Sequence, residues 1–318
     1  MNDVKVTVLM PAYNAAKYVA EAIQSVLDQT FTDFELLIVN NGSTDKTVSE
    51  IQQFNDPRIR LVHQPRKGIS AALNTGLLEA RGNYIARFDA DDICLPERFG
   101  KQVNFLDHNP GYVLAGADAE YIAENGDHLF NFSCIGHTDE EIRKQLYVYC
   151  PFIHSAVMYR KDAVLKAGGY IMEAQTFEDY LLWVRLAGHG LFSNLPEALI
   201  KVRLNPDSVT IDEKWRGQKF RRIKRKIIYK GSVGREESIE LLNIINRQNT
   251  SRLKDAAYNA LCGKKLLVNN YQPQKARIHL GKAIGQFPFR LDNYGLYMLS
   301  FFPKPMIDWL HSKSPNTI

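Results

Sequence analysis

Four short apolar runs, at residues 6–10, 35–39, 60–62 and 84–88, alternate with stretches of helical spacing, and this alternation constrains the fold more than any other feature. Between the runs lie residues 16–27, where Val19, Ala22, Ile23, Val26 and Leu27 recur at helical spacing, then 44–54, then 70–80, which Gly82 stops. Strand and helix in strict alternation predict an α/β domain with a mostly parallel central sheet flanked by helices. Ligands of such sheets bind beyond the carboxyl ends of the strands. Three polar turns fall at those ends: Pro11-Ala12-Tyr13-Asn14, Asn40-Asn41-Gly42-Ser43 and Asp89-Ala90-Asp91.

The third turn carries chemistry. Asp89 and Asp91 stand at i and i+2 of a run read as extended, which would point both carboxylates the same way. Such a pair suits a hard divalent cation that keeps sites for phosphate oxygens. The bland alternative is a helix cap, for which Asp92 is well placed. The chain has neither GxxxxGK[ST] nor GxGxxG, so a bound diphosphate needs charge from elsewhere, and a metal on Asp91 would supply it.

No apolar run approaches the roughly 20 residues that span a bilayer, and the first residues carry no apolar signal segment. The four cysteines are scattered without a CxxC pair, which predicts reduced thiols in a cytosolic protein and no zinc site. Farther on, 113–115, 156–159 and 199–202 read as strands, and 162–167 and 178–187 as helices.

The net charge of +5 hides a split: residues 1–212 carry 19 Lys+Arg against 28 Asp+Glu, and residues 213–318 carry 21 against 7. The split sets a boundary near residue 211, with a catalytic domain over 1–211 and a helical basic region over 212–318. Residues 214–230 hold nine Lys or Arg and no acid, with Phe220, Ile223 and Ile227 on one helical face. That is the pattern of a helix lying on an anionic membrane, or equally of one packing its stripe on the protein body. Tyr294, Tyr297, Phe301, Phe302 and Trp309 suit headgroup depth. The apolar stripe also leaves a homo-oligomer open. Nucleic acid is not an expected partner, because the rest of the chain is acidic and no binding motif is present.

Pro11-Ala12-Tyr13-Asn14, residues 39–45, Asp89-Ala90-Asp91-Asp92 and residues 177–183 occur in the order seen in family 2 glycosyltransferases of the GT-A fold, which the chain resembles over residues 4–210. Gly68, Asn74, Gly76 and residues 154–160 share the resemblance. It implies a GT-A nucleotide-binding domain, a UDP-sugar donor, Mn2+ or Mg2+, and an inverting transfer to an acceptor hydroxyl. The acceptor would be a surface polysaccharide or a lipid-linked glycan, and the enzyme cytoplasmic and peripheral on the inner face of the cell membrane. Pro11, Ala12, Tyr13 and Asn41 would border the nucleobase. Asp89 would face the ribose or a metal-bound water, Asp91 would ligate the metal, and Asp179 would be the general base.

The residue types fit these roles. Tyr13 offers a flat face for a base, and the Asn41 carboxamide can accept from uracil N3–H. Two departures stand out. Asn40 and Asn41 replace the family's usual aspartates, and Val202-Arg203-Leu204-Asn205 lacks its histidine, which makes Arg203 and Lys67 the phosphate partners. Glu178, Trp183, Arg87 and His154 are candidates for donor sugar or acceptor. Trp183 at helical spacing reads more often as core, His154 as a buried histidine rather than a ligand, and Arg87 and Arg98 equally as sugar contacts or as counter-charges to the carboxylates. Two rivals remain at this point. A metal-dependent nucleotidyltransferase would need a Gly-rich or Lys-bearing phosphate loop that residues 11–14 do not provide. A non-catalytic membrane adaptor would have no use for Asp91 and Asp179.

Overall fold

The computed structural model describes residues 4–64, 68–206, 208 and 211–313. The first stretch folds as read: β1 (Val6–Ala12), α1 (Val19–Leu27), β2 (Phe34–Asn40), α2 (Thr47–Ile51), β3 (Ile59–His63), α3 (Ile69–Glu79) and β4 (Tyr84–Arg87). Strand β1 lies parallel to β2 and β4, and β2 parallel to β3. Both β1 and β2 are buried along their whole length, because helices cover both faces of the sheet. Leu9 and Leu37 join one core with Trp183 and Phe192, while Val8, Met10, Leu36 and Ile38 join the other with Phe99 and Leu106. Adjacent residues thus feed opposite layers, as strand alternation requires.

The rest is mixed. After β5 (Ile93–Cys94) and α4 (Arg98–His108) come β6 (Tyr112–Ile122), β7 (His128–Phe132), α5 (Asp139–Gln145), β8 (Met158–Arg160), α6 (Lys161–Lys166), α7 (Glu178–Leu186) and β9 (Leu191–Arg203). The nine-stranded sheet runs β3-β2-β1-β4-β8-β6-β9-β5, with β7 on β6. β8 pairs antiparallel with β4 and β6, and β5 antiparallel with β9. The all-parallel half carries the carboxyl-end turns, and the mixed half extends the sheet from β4. β9 reaches well beyond the run at 199–202, across Pro196, which had masked it.

Close approach fixes the turn into β4. The Gly82 N–H donates to Thr7 Oγ1 at 2.9 Å, and that hydroxyl donates to Glu35 Oε1 at 2.7 Å. A Cβ at Gly82 would stand 2.4 Å from Thr7 N and 2.6 Å from Val6 C, both backbone atoms. Gly82→Ala is therefore expected to destabilise the fold by about 1–3 kcal/mol. For a chain of this size that is roughly 2–4 °C of melting temperature per kcal/mol. Calorimetry showing an unchanged midpoint would refute it.

The basic region is helical: α8 (Gln218–Lys230), α9 (Arg235–Gln248), α10 (Ser251–Val268), α11 (Pro273–Gln286), α12 (Leu291–Leu299) and α13 (Lys304–Lys313). Phe220, Ile223 and Ile227 of α8 are buried, so this stripe packs on protein and is not available to a bilayer. No helix among the described residues is long and apolar enough to cross a membrane. The chain forms two compact units that a single cut does not separate. One comprises residues 1–119, 132–202 and 223–239, and the other 120–131, 203–222 and 240–318. Of the candidate site residues, only Arg203 falls in the second unit.

Candidate active site

The first two carboxyl-end turns are knitted together by short polar side chains. The Asn41 N–H donates to Ala12 O at 2.8 Å, and the Thr44 N–H to Asn14 Oδ1 at 2.9 Å. Asn14 adopts φ 49°, a left-handed conformation that asparagine tolerates. Asp45 accepts from the Ala16 N–H at 3.1 Å and the Thr47 N–H at 3.0 Å. Burial pushes its carboxyl up, but hydrogen bonds from the Thr47 side chain and from these backbone groups outweigh it and hold the carboxyl below the usual range. Asp45 has no assigned role in the sequence reading, although its spacing to Thr47 is a turn signature. Between these clamped backbones the Tyr13 ring stands exposed.

Asn41 is buried, and its Oδ1 accepts from the Gly68 N–H at 3.2 Å. One lone pair of the oxygen expected to face uracil is therefore already used, and the second remains. Gly68, at φ 119°, caps α3 in a conformation that L side chains rarely adopt. Lys67, the other expected phosphate partner, lies outside the described residues.

At the third turn the sequence expectation needs correction. β4 ends at Arg87, and residues 90–91 form a turn, so strand alternation does not orient Asp89 and Asp91. The turn does so instead: the Asp92 N–H points to Asp89 O at 3.4 Å, and the Asp89 N–H donates to Ser155 Oγ at 3.0 Å. Arg87 is buried and ion-paired with the Asp89 carboxylate. Burial opposes its charge, but the attraction and hydrogen bond of Asp89 outweigh this and fix it as a cation. Its Nε is buried without a hydrogen-bond partner. Arg98 donates to Arg87 O at 2.8 Å and Val157 O at 3.2 Å, so its guanidinium braces backbone. Among the described residues no three His, Cys, Asp or Glu side chains gather into a metal cage. Two carboxylates at one turn still fit a hard cation that draws its remaining oxygens from phosphate and water.

α7 opens with two acids, Glu178 and Asp179. Glu178 is buried, with Oε2 lacking a hydrogen-bond partner, while Asp179 is half-buried and accepts from the Tyr180 N–H at 2.7 Å. Burial pushes the Glu178 carboxyl up to about 8, with the Asp179 and Asp89 charges adding to the shift and Arg87 opposing it. Asp89, Arg87, Glu178 and Asp179 therefore share one field. α8 contributes Lys224, whose ammonium lies 5.4 Å from the Phe177 ring centre and 5.8 Å from that of Tyr180, flanking Glu178 and Asp179 in sequence. No sequence signal pairs residue 224 with 177 and 180.

The raised Glu178 carboxyl has a stability consequence. The folded protein holds this proton more tightly than the unfolded chain, so the stabilising contribution is complete below 4.5 and is lost as pH rises to about 8. Glu178→Gln removes that dependence. Its melting temperature is expected to fall less than that of the wild type between pH 5 and pH 9. Parallel pH profiles for the two proteins would count against the assignment.

Two remaining candidates belong to packing. Trp183 is wholly buried against Phe152 and His154, with ring centres 5.6 and 5.8 Å away, and has no face to offer an acceptor. His154 Nε2 lies 3.0 Å from the Tyr170 hydroxyl, and burial together with the Arg87 cation drives its pKa well below the ordinary value, leaving it neutral. Asn74 explains the position of Tyr170, since it donates to Tyr170 O at 2.8 Å and accepts from its N–H at 2.9 Å. Arg203 is buried and donates to Glu124 O at 3.1 Å.

Known proteins share both the pattern and the fold. An uncharacterized glycosyltransferase of Haemophilus influenzae is 31% identical over 277 residues, covering 80% of this chain and 84% of its own. The amylovoran biosynthesis glycosyltransferase AmsE of Erwinia amylovora is 34% identical over 216 residues, 66% of this chain and 80% of its own. The structure of S. aureus TarS 1–349 in complex with UDP-GlcNAc superposes with a TM-score of 0.55 at 20% identity, covering 98% of this chain and 89% of that one. The mannosyltransferase PcManGT of Pyrobaculum calidifontis, in complex with GDP-Man and Mn2+, gives 0.52 at 16% identity, over 99% and 89%. The fold is therefore GT-A. The sequence pattern of glycosyl transferase family 2 matches residues 7–168, and the chain belongs to that family, as a glycosyltransferase.

Proposed function

We propose that this glycosyltransferase moves a sugar from a UDP donor to a hydroxyl of a surface polysaccharide or lipid-linked glycan, with inversion, at the inner face of the cell membrane. The chemistry is placed within residues 1–211. The observation that carries the proposal is the set of polar turns at the carboxyl ends of β1, β2 and β4, where Tyr13 is exposed, Asn41 is held by Gly68 and Asp89 is paired with Arg87. Tyr13 stacks the base, and Asn41 reads its edge. Asp179, the more accessible of the two acids of α7, takes the acceptor proton as its oxygen attacks the anomeric carbon opposite the diphosphate. Glu178 stays protonated behind it. Asp91, with Asp89 beside it, would hold Mn2+ or Mg2+, which stabilises charge on the departing diphosphate.

The likeness to TarS, solved with UDP-GlcNAc, supports the UDP donor, and the likeness to AmsE supports a polysaccharide product. The complex of PcManGT with Mn2+ supports the metal. The test is a thermal-shift panel of nucleotide sugars with Mn2+ and with EDTA. One UDP-sugar is expected to raise the melting temperature with Mn2+ only. Stabilisation by a GDP-sugar instead, or equal stabilisation in EDTA, would overturn the donor or the metal respectively.

A further inference from the structure

Helix α12 turns an apolar stripe outward. At about 100° per residue, Leu291, Tyr294, Met298 and Phe301 fall within an arc of about 80°. They are 79%, 41%, 61% and 61% exposed. The opposite side faces inward and is mixed: Asn293 and Ser300 are each 2% exposed, and Leu296 between them is half-buried. The helical turn continues past α12, with the Phe301 N–H donating to Met298 O at 3.2 Å, so the stripe reaches Phe301 without a break. Met306 and Trp309 of α13, three residues apart, are exposed as well. A helix in water normally buries such a stripe and exposes its polar side. The outward stripe is therefore built to meet something other than water.

Charge selects the occupant. Residues 273–313 carry six Lys or Arg against Asp292 and Asp308. On α11, Lys275, Ile278 and Lys282 are exposed at helical spacing, and the Arg277 guanidinium lies 4.7 Å from the centre of the Phe301 ring. Apolar and aromatic side chains fringed by cations are the chemistry of a segment lying at an anionic lipid surface. A second copy of the chain fits less well. It would bring the same positive charge, and the stripe is far smaller than the roughly 20–30 residues that each side of a stable protein interface supplies.

We propose that the outward face of α12, continued through Phe301 to α13, is a docking surface for an anionic phospholipid bilayer, entered to headgroup depth. This replaces α8, whose apolar stripe is buried, as the membrane-facing element. The inference deepens the membrane clause of the proposed function and rests on it. Its test needs neither donor nor metal, so a failure here and a failure of the catalytic reading are separable.

The experiment is flotation of the full chain with phosphatidylcholine vesicles, with and without phosphatidylglycerol. The wild type is expected to float with the anionic vesicles and to release as salt rises. The double substitution Met298→Gln, Phe301→Gln, at two exposed positions, is expected to keep the circular dichroism spectrum and melting temperature and to lose vesicle affinity at least tenfold. A second readout needs no core change: acyl-brominated anionic vesicles should quench wild-type tryptophan emission, and Trp309→Phe should remove most of that quenching. Equal flotation of wild type and double variant, equal recovery on neutral vesicles, no quenching, or a wild-type dimer that the double variant converts to monomer would each overturn the proposal.

Discussion

Asp179→Asn is expected to abolish transfer while leaving donor binding intact, with kcat falling by about 10²–10⁴-fold, the usual contribution of a general base. The amide keeps the shape of the side chain and can still accept from the Tyr180 N–H, so the start of α7 is preserved. What is lost is the carboxylate proposed to take the acceptor proton. Of the two acids on the first turn of α7, only Asp179 is accessible enough for that work. Both sit where the helix dipole favours negative charge, but for Glu178 burial and its charged neighbours win. A carboxyl pushed up to about 8 is mostly protonated at neutral pH and is a poor place to put a second proton. Glu178→Gln, which mimics the protonated acid, should therefore retain far more activity than Asp179→Asn. Steady-state kinetics with UDP release as the readout, beside donor titration by calorimetry, separates the cases. Comparable losses in the two variants, or a loss of donor affinity in Asp179→Asn, would mean that the base lies elsewhere.

The parallel half of the sheet was legible because each element there declares itself locally. Val6 to Met10 and Glu35 to Val39 are continuous apolar runs, and the helices between them keep helical spacing. The mixed half was legible only in part. The runs at 113–115, 156–159 and 199–202 mark β6, β8 and β9, whereas the two-residue β5 and the stretch of β9 that runs through a proline depend on their pairing partners. The site shows the same contrast. The carboxyl-end turns stood out as polar clusters at strand ends. The groups that hold them did not: Ser155 meets Asp89 across 66 positions, and Asn74 meets Tyr170 across 96. Trp183, whose helical spacing favours core over an acceptor platform, is core. Helix α8 reads as a surface helix by charge, yet its apolar stripe is buried, because its seven cations say nothing about what covers the other face.

The two aspartates of the third turn are expected to fail differently. Asp91→Asn should remove Mn2+-dependent donor binding, because it takes away a charged oxygen from a site that has few protein ligands. Electron paramagnetic resonance of Mn2+ with UDP present reads this directly, with at least a tenfold loss of affinity expected, the lower end of the roughly 10–100-fold range seen when even supporting groups around a metal are removed. Asp89→Asn acts first on Arg87. The guanidinium is buried, its Nε has no hydrogen-bond partner, and Asp89 is its charged partner at the turn. Neutralising Asp89 leaves a buried cation with weakened compensation, which destabilises the fold as well as the site. The Asp89 carboxylate is itself partly exposed, so the penalty should stay below the about 3–5 kcal/mol of a fully buried broken pair. The signature of Asp89→Asn is thus a lowered melting temperature even without ligand. That of Asp91→Asn is a near-normal melting temperature and a lost metal response. Pairing Asp89→Asn with Arg87→Met removes both charges and should recover part of the stability, but not the activity, because the carboxylate assigned to the ribose is still missing. If Asp91→Asn bound Mn2+ as the wild type does, the assignment of the metal to that carboxylate would be wrong. If Asp89→Asn melted at the wild-type temperature, the ion pair with Arg87 would not be holding the turn.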